Sequence, residues 1–203
     1  MDNIDKLTEI FKEFPGIGAR QAKRFVYHLM MRNGAYSENL AQLITELKKE
    51  VTQCKECFRF YLNSKQKDFV CDLCADQNSD STLLMVVEKD TDLESVRKSR
   101  LYNGRYFILG GLVPIVEKTT KSKVRVNELL EKIKKSSALK EIILAFSLSP
   151  QGDHTDHYIR GEINPLAEKM GIKISSLGRG LSTGTELEYS DNDTLKNALK
   201  NRQ

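Results

Sequence analysis

The chain has 203 residues, with 32 Lys or Arg against 28 Asp or Glu, a formal charge of +4, 39% hydrophobic and 30% charged residues. That length suits one domain or two small ones, and the apolar fraction is enough for a core, which excludes global disorder. The longest apolar runs, Leu83–Val87 and Ile142–Phe146, are far shorter than the roughly 20 residues a membrane helix needs.

The first residues, MDNIDKLTEIFKEF, are acidic early and lack an apolar signal core. The expectation is a cytoplasmic protein with no membrane contact, where four Cys point to metal before disulfide. Charge is spread thinly. Residues 1–53 carry 8 basic and 7 acidic groups, and residues 82–170 carry 15 and 12. Any nucleic-acid surface must come from local placement of charge.

Leu7, Ile10, Phe11 and Phe14 recur at helical spacing, and Pro15-Gly16 stops that helix. A second helix is expected from about Ala19 to Met31, with Ala22, Phe25, Val26 and Leu29 on one face, ended by Asn33-Gly34. Ser37 is the expected N-cap of a third helix carrying Leu40, Leu43, Ile44, Leu47 and Val51. A Cys-containing segment over 54–74 and a polar linker over Ala75–Ser81 follow.

Beyond residue 82 strands and helices alternate. Strands are expected at Leu83–Val87, Tyr106–Leu109, Ile142–Phe146 and Ile172–Leu177. Helices are expected at Thr91–Arg100, at Val126–Ser136 with Leu129, Leu130 and Ile133 inward, and from about Thr155 to Met170. Gly161 and Pro165 predict a kink or break in the last of these. The alternation implies a parallel sheet covered on both faces.

Three segments carry chemistry. Phe14-Pro15-Gly16-Ile17-Gly18-Ala19-Arg20 joins two amphipathic helices through a turn with glycines at 16 and 18. Gly16 and Gly18 permit close backbone approach, and the second helix offers its N-terminal amides and positive dipole end to a phosphate. Arg20, Lys23 and Arg24 lie in its first turns and are the candidate DNA contacts, reaching the backbone without reading bases. This is a helix-hairpin-helix pattern; the plainer alternative is a helical corner with solvated charges.

Cys54-Lys55-Glu56-Cys57 and Cys71-Asp72-Leu73-Cys74 hold every cysteine of the chain. Two C-x-x-C pairs complete a tetrahedron around Zn²⁺ with no open position, so Cys54, Cys57, Cys71 and Cys74 predict one structural zinc ion per chain. A redox pair or an iron–sulfur cluster fits the paired spacing less well.

Val86-Val87-Glu88 places a carboxylate at the C-terminal end of the first strand of the sheet, the edge where open α/β sheets bind ligands. With the third strand running into Ser147-Leu148-Ser149, this resembles the Toprim domain of topoisomerases, primases and some nucleases. Active members of that family hold Mg²⁺ with a Glu after the first strand and an Asp-x-Asp after the third. Glu88 matches the Glu, but Ser147 and Ser149 stand at the two Asp positions, and Asp153 is the one other acid nearby. Two-metal catalysis is therefore not expected. Asp153-His154-x-x-His157 reads as polar residues opening a helix before it reads as a metal pair, and His28 as a partly buried packing residue. Asp90 and Asp92 read as helix-starting residues.

The whole order resembles the RecR family of bacterial recombination mediators. The likeness rests on Phe14-Pro15-Gly16-Ile17-Gly18, both C-x-x-C pairs, Val86-Val87-Glu88, Gly104–Gly111 with Pro114, and a C-terminal set. That set is Gly180, Gly184-Thr185-Glu186-Leu187-Glu188-Tyr189, Asp191, Thr194-Leu195 and Ala198. The resemblance implies an α+β multidomain chain. Residues 1–53 would form the helix-hairpin-helix DNA-binding domain and 54–74 a C4 zinc finger. Residues 82–177 would form the Toprim domain, and 178–203 a C-terminal oligomerisation segment. It implies a non-enzymatic role in DNA repair at the nucleoid, acting with RecO and RecF to load RecA onto single-stranded DNA coated with SSB. It implies homodimers or tetrameric rings on single- or double-stranded DNA, with Glu88 and Asp153 used for partner contact. The chain departs from the family at Ala19, at Gln151, at Ser182, in a longer spacer between the Cys pairs, and around Gly161–Pro165. The alternatives are a Toprim-type metal-dependent nuclease or nucleotidyl transferase, and a zinc-ribbon adaptor that binds protein alone.

Overall fold

A computed structural model describes residues 1–62, 68–115, 124–178, 181, 184, 186–190 and 192–200. Gly180, Ser182, Thr185 and Asp191 of the family pattern lie outside the described residues. The chain divides into two compact units, Met1–Val51 and Thr52–Gln203.

The first unit is helical. Helix α1 (Asn3–Lys12) is capped by the Asp2 carboxylate, which accepts from the Asp5 amide. It stops before Phe14, one turn earlier than the Pro15-Gly16 signal. Helix α2 (Ala19–Met30) buries Ala22 and Val26, and the Phe11 ring meets Phe25 edge-on at 5.8 Å. Helix α3 (Gly34–Glu50) starts from Asn33, whose side chain accepts from the Tyr36 amide. The expected Ser37 cap is thus corrected. Asn33 is itself a strong cap, and the residue expected to end one helix begins the next. Val51 leaves the helix for an extended backbone.

Short strands β1 (Val51–Gln53), which starts at the last residue of the first unit, and β2 (Phe60–Leu62) pair, and one helical turn, α4 (Asp72–Ala75), follows. A four-stranded parallel sheet follows: β3 (Asp80–Val87), β4 (Gly104–Ile108), β5 (Glu141–Ala145) and β6 (Lys173–Ser176), in the order β4-β3-β5-β6. Helices α5 (Asp90–Ser99), α6 (Val126–Lys135) and α7 (Pro150–Met170) connect them. A 3₁₀ turn at Leu187–Tyr189 and helix α8 (Asn192–Lys200) close the chain. Strand β3 begins inside the expected linker, with a register shift between Asp80 and Leu84.

Strand side chains alternate between faces, and β3 divides accordingly. Leu84 and Val86 join Leu129 and Ile133 of α6 and Ile159 and Ile163 of α7. Met85 and Val87 join Leu93 of α5 and Tyr106 and Ile108 of β4. Each fully buried aliphatic side chain contributes about 1.5–3 kcal/mol, so both faces of the sheet are anchored.

Of the kink or break expected in the last long helix, the break does not occur. α7 runs unbroken for 21 residues with Pro165 inside it. Pro165 removes one backbone bond and presses on the carbonyl four residues back. That residue is Gly161. Buried Thr155, Ile159, Ile163 and Ala167, spaced by four, pin one stripe of the helix to the core, and this packing overrides the proline.

Candidate metal centre and nucleic-acid interface

The two C-x-x-C pairs converge. The sulfurs of Cys54, Cys57, Cys71 and Cys74 all lie within 4.8 Å of one another, and no other group of three or more potential ligands occurs among the described residues. Cys57 Sγ and Cys71 Sγ are 3.5 Å apart. That is too long for a disulfide and near the edge of about 3.8 Å expected for a tetrahedron with 2.3 Å metal–sulfur bonds. Cys54, Cys57 and Cys71 are fully buried. The amides of Glu56 and Cys71 both donate to Cys54 Sγ, at 3.4 Å each. Hydrogen bonds from Cys57, Cys71 and Cys74 hold the Cys54 thiol far below its ordinary range. The same contact with Cys54 pushes Cys57 up. A buried cluster of four converging sulfurs, with two amides aimed at one of them, suits a structural metal ion with four thiolate ligands.

The knuckle is tied to the sheet. Ile108 at the end of β4 donates its amide to the Cys57 carbonyl at 2.8 Å. Phe58 takes a left-handed backbone (φ 63°), and its ring packs on Phe107 at 5.3 Å and under the Arg125 guanidinium at 5.2 Å. Arg59 is 8% exposed and pairs with Asp72 at 3.1 Å and Glu94 at 3.7 Å. Asp90, expected only to start a helix, accepts from the Phe60 amide at 2.7 Å. Asp92 does serve the helix start, accepting from the Lys89 amide at 3.3 Å. Arg59 lies two residues past Cys57 and carried no spacing signal; its partners are distant in sequence.

In the helical unit, Arg20, Lys23 and Arg24 are exposed on α2. Their spacing of three and four places them on one face. None forms an ion pair among the described residues; Arg24 meets only the Gln21 side-chain amide at 3.3 Å. Gly16 has φ +77°, a left-handed value. Gly18 is the extended N-cap of α2 and supplies no side-chain hydrogen bond to the helix amides. His28, expected to be partly buried, is exposed and accepts from Arg32 Nε at 3.2 Å. It follows two residues after buried Val26, on the solvent side of α2.

At the C-terminal edge of the sheet, Glu88 follows β3, with a side chain 19% exposed and Lys89 Nζ at 3.8 Å. β3 lies between β4 and β5, so Glu88 stands at the topological switch point where such sheets bind ligands. Ser147 and Ser149 hydroxyls are 3.0 Å apart, and Ser149 caps α7 by accepting from the Gly152 amide. A Cβ at Gly152 would collide with the Ser147 carbonyl, so this tight turn requires glycine. Asp153 is exposed in the first turn of α7. It lines a cavity of about 280 Å³ with Ser147, Asp156 and Ser176, a cavity that Glu88 does not border.

Among the described residues no helix is long and apolar enough to cross a membrane. Comparison with known proteins matches residues 4–48 to the family described as "RecR, helix-hairpin-helix", residues 82–178 to the Toprim domain, and residues 180–203 to "RecR, C-terminal". The recombination protein RecR of Bacteroides thetaiotaomicron is 34% identical over 199 residues, covering 98% of this chain and 92% of the relative. That of Lactobacillus acidophilus is 32% identical, covering 98% and 96%. That of Legionella pneumophila is 32% identical over 202 residues, covering 100% and 96%.

Proposed function

The chain belongs to the RecR family of recombination proteins, and we propose that it is a DNA-binding mediator of recombinational repair and not a catalyst. In this reading it acts with RecO and RecF to load RecA onto SSB-coated single-stranded DNA, in the cytoplasm at the nucleoid. Residues 1–53 bind DNA, 54–74 hold one structural Zn²⁺, 82–177 form the Toprim platform, and 178–203 help close an oligomer.

The observation that carries the proposal is the basic face of α2. Arg20, Lys23 and Arg24 stand exposed just behind a helix N-terminus with no side-chain cap. The amides of the first turn and the dipole favour a phosphate there, and the three cations extend the contact along the backbone. Gly18 needs no special backbone angle and has open space where a Cβ would go. Close approach of a DNA backbone supplies a reason for glycine at that position.

Zinc is the metal that four thiolates in two C-x-x-C pairs favour, and with every position filled it is structural. Glu88 and Asp153 are assigned to partner contact. Ser147 and Ser149 bring hydroxyls where metal-dependent Toprim enzymes carry carboxylates, and they bond to each other. That leaves Glu88 without the acids a two-metal site requires.

Arg20→Ala/Arg24→Ala tests the assignment. Fluorescence anisotropy with labelled duplex DNA, repeated over a salt series, should show weaker binding and a salt slope flatter by about 1–2. Unchanged affinity and slope would remove the hairpin from the DNA interface.

A further inference from the structure

Four thiolates around a divalent ion carry a net charge of about −2. Three of the four cysteines here are fully buried, and buried charge is costly unless compensated. Two cations from the Toprim part of the chain meet the knuckles. Arg105, on β4, donates Nη1 to the Cys74 carbonyl at 2.6 Å and to the Leu73 carbonyl at 3.4 Å. Lys132, on α6, donates Nζ to the Glu56 carbonyl at 2.9 Å and reaches the Glu56 carboxylate at 3.4 Å. Its side chain is only 15% exposed. Each C-x-x-C pair therefore has a backbone carbonyl, at or next to a ligand cysteine, held by one cation from outside the knuckle. Both cations border a cavity of about 480 Å³ that also exposes Cys74 and Lys135.

We propose that Arg105 and Lys132 are positioning residues of the metal centre. They fix one carbonyl of each knuckle and balance the charge of the tetrathiolate, so metal retention is set by the Toprim domain as well as by the cysteines. This rests on the metal reading given above. A phosphate in the cavity is disfavoured because Lys132 is already paired with the Glu56 carboxylate and Arg105 with the Leu73 and Cys74 carbonyls. A carbonyl contact to a neutral loop would be satisfied by water or by a neutral donor. A cation beside a dianionic centre would not be so replaced, because the field in this partly buried site is weakly screened.

The test compares Arg105→Met and Lys132→Met with their charge-keeping partners Arg105→Lys and Lys132→Arg. Lys135→Met, at the same cavity but with no carbonyl contact among the described residues, is the control. Zinc release to an excess of chelator is timed, and the cobalt-loaded proteins are examined by absorption. We expect the Met variants to lose metal at least tenfold faster. Their sulfur-to-cobalt charge-transfer band should move to longer wavelength, because thiolates lacking a nearby cation give up electrons more readily. The charge-keeping variants and Lys135→Met should stay near the parent in both readouts. Equal release rates and unshifted bands in the Met variants overturn the proposal, as does a charge-keeping variant as labile as its Met counterpart. A parent protein that binds one ion separates these outcomes from failure of the metal reading, in which the parent itself takes up none.

Discussion

Gly16 and Gly18 are two residues apart and alike in sequence, yet only Gly16 is demanded by the chain's own geometry. Its φ of +77° would cost an ordinary residue about 1–2 kcal/mol, so Gly16→Ala should lower the stability of the helical unit by that amount in denaturant titration. A neutral result would mean the turn adjusts. Glu88 poses the opposite question, since it is the one acid that matches the active Toprim pattern. With Ser147 and Ser149 beside Asp153, incubation with Mg²⁺ or Mn²⁺ and a labelled oligonucleotide should leave the DNA unchanged. Robust cleavage or synthesis that Glu88→Gln abolishes would instead make this a Toprim enzyme. The cysteines were legible because a spacing of three residues within each pair fixes which thiols can meet. Arg59, Arg105 and Lys132 were not, because their knuckle partners lie 13 to 76 residues away and no local pattern encodes them.

Strands and helices of the sheet were readable wherever a strong period ran, as at Leu83–Val87 and Val126–Lys135. The misreadings have local causes. Asn33-Gly34 looked like a stop and acts as a start, since cap and turn residues are the same types. Pro165 looked like a break, but the four-residue spacing of buried Thr155, Ile159, Ile163 and Ala167 holds α7 together. The knuckle is the element least able to stand alone. β1 and β2 have three residues each and α4 four, and the buried cluster at its centre consists of cysteines. Strands and helices this short need an external source of stability, which a metal held by the four cysteines would supply. Chelation should therefore deprotect its amides in hydrogen exchange, notably Cys54, Lys55 and Phe58, which bond the Arg59, Phe69 and Cys54 carbonyls. Met85–Val87 in the central strand should stay protected. Equal protection of the knuckle with and without metal would deny the ion its structural role.

At the scale of the molecule, +4 over 203 residues is a weak attraction for DNA. In the proposed reading, local placement on α2 would matter more, and repetition would multiply it. The helical unit also leaves Leu43, Ile44 and Leu47 of α3 more than half exposed, an apolar face of the kind that assembly covers. The proposed clamp would need several copies, since one chain of this size cannot surround a duplex. The most direct measurement is multi-angle light scattering of the zinc-loaded protein, alone and with single-stranded and duplex oligonucleotides. A defined dimer or tetramer is expected, with a mass that rises by that of bound DNA at moderate salt. A strict monomer whose mass is unchanged by either oligonucleotide would contradict it.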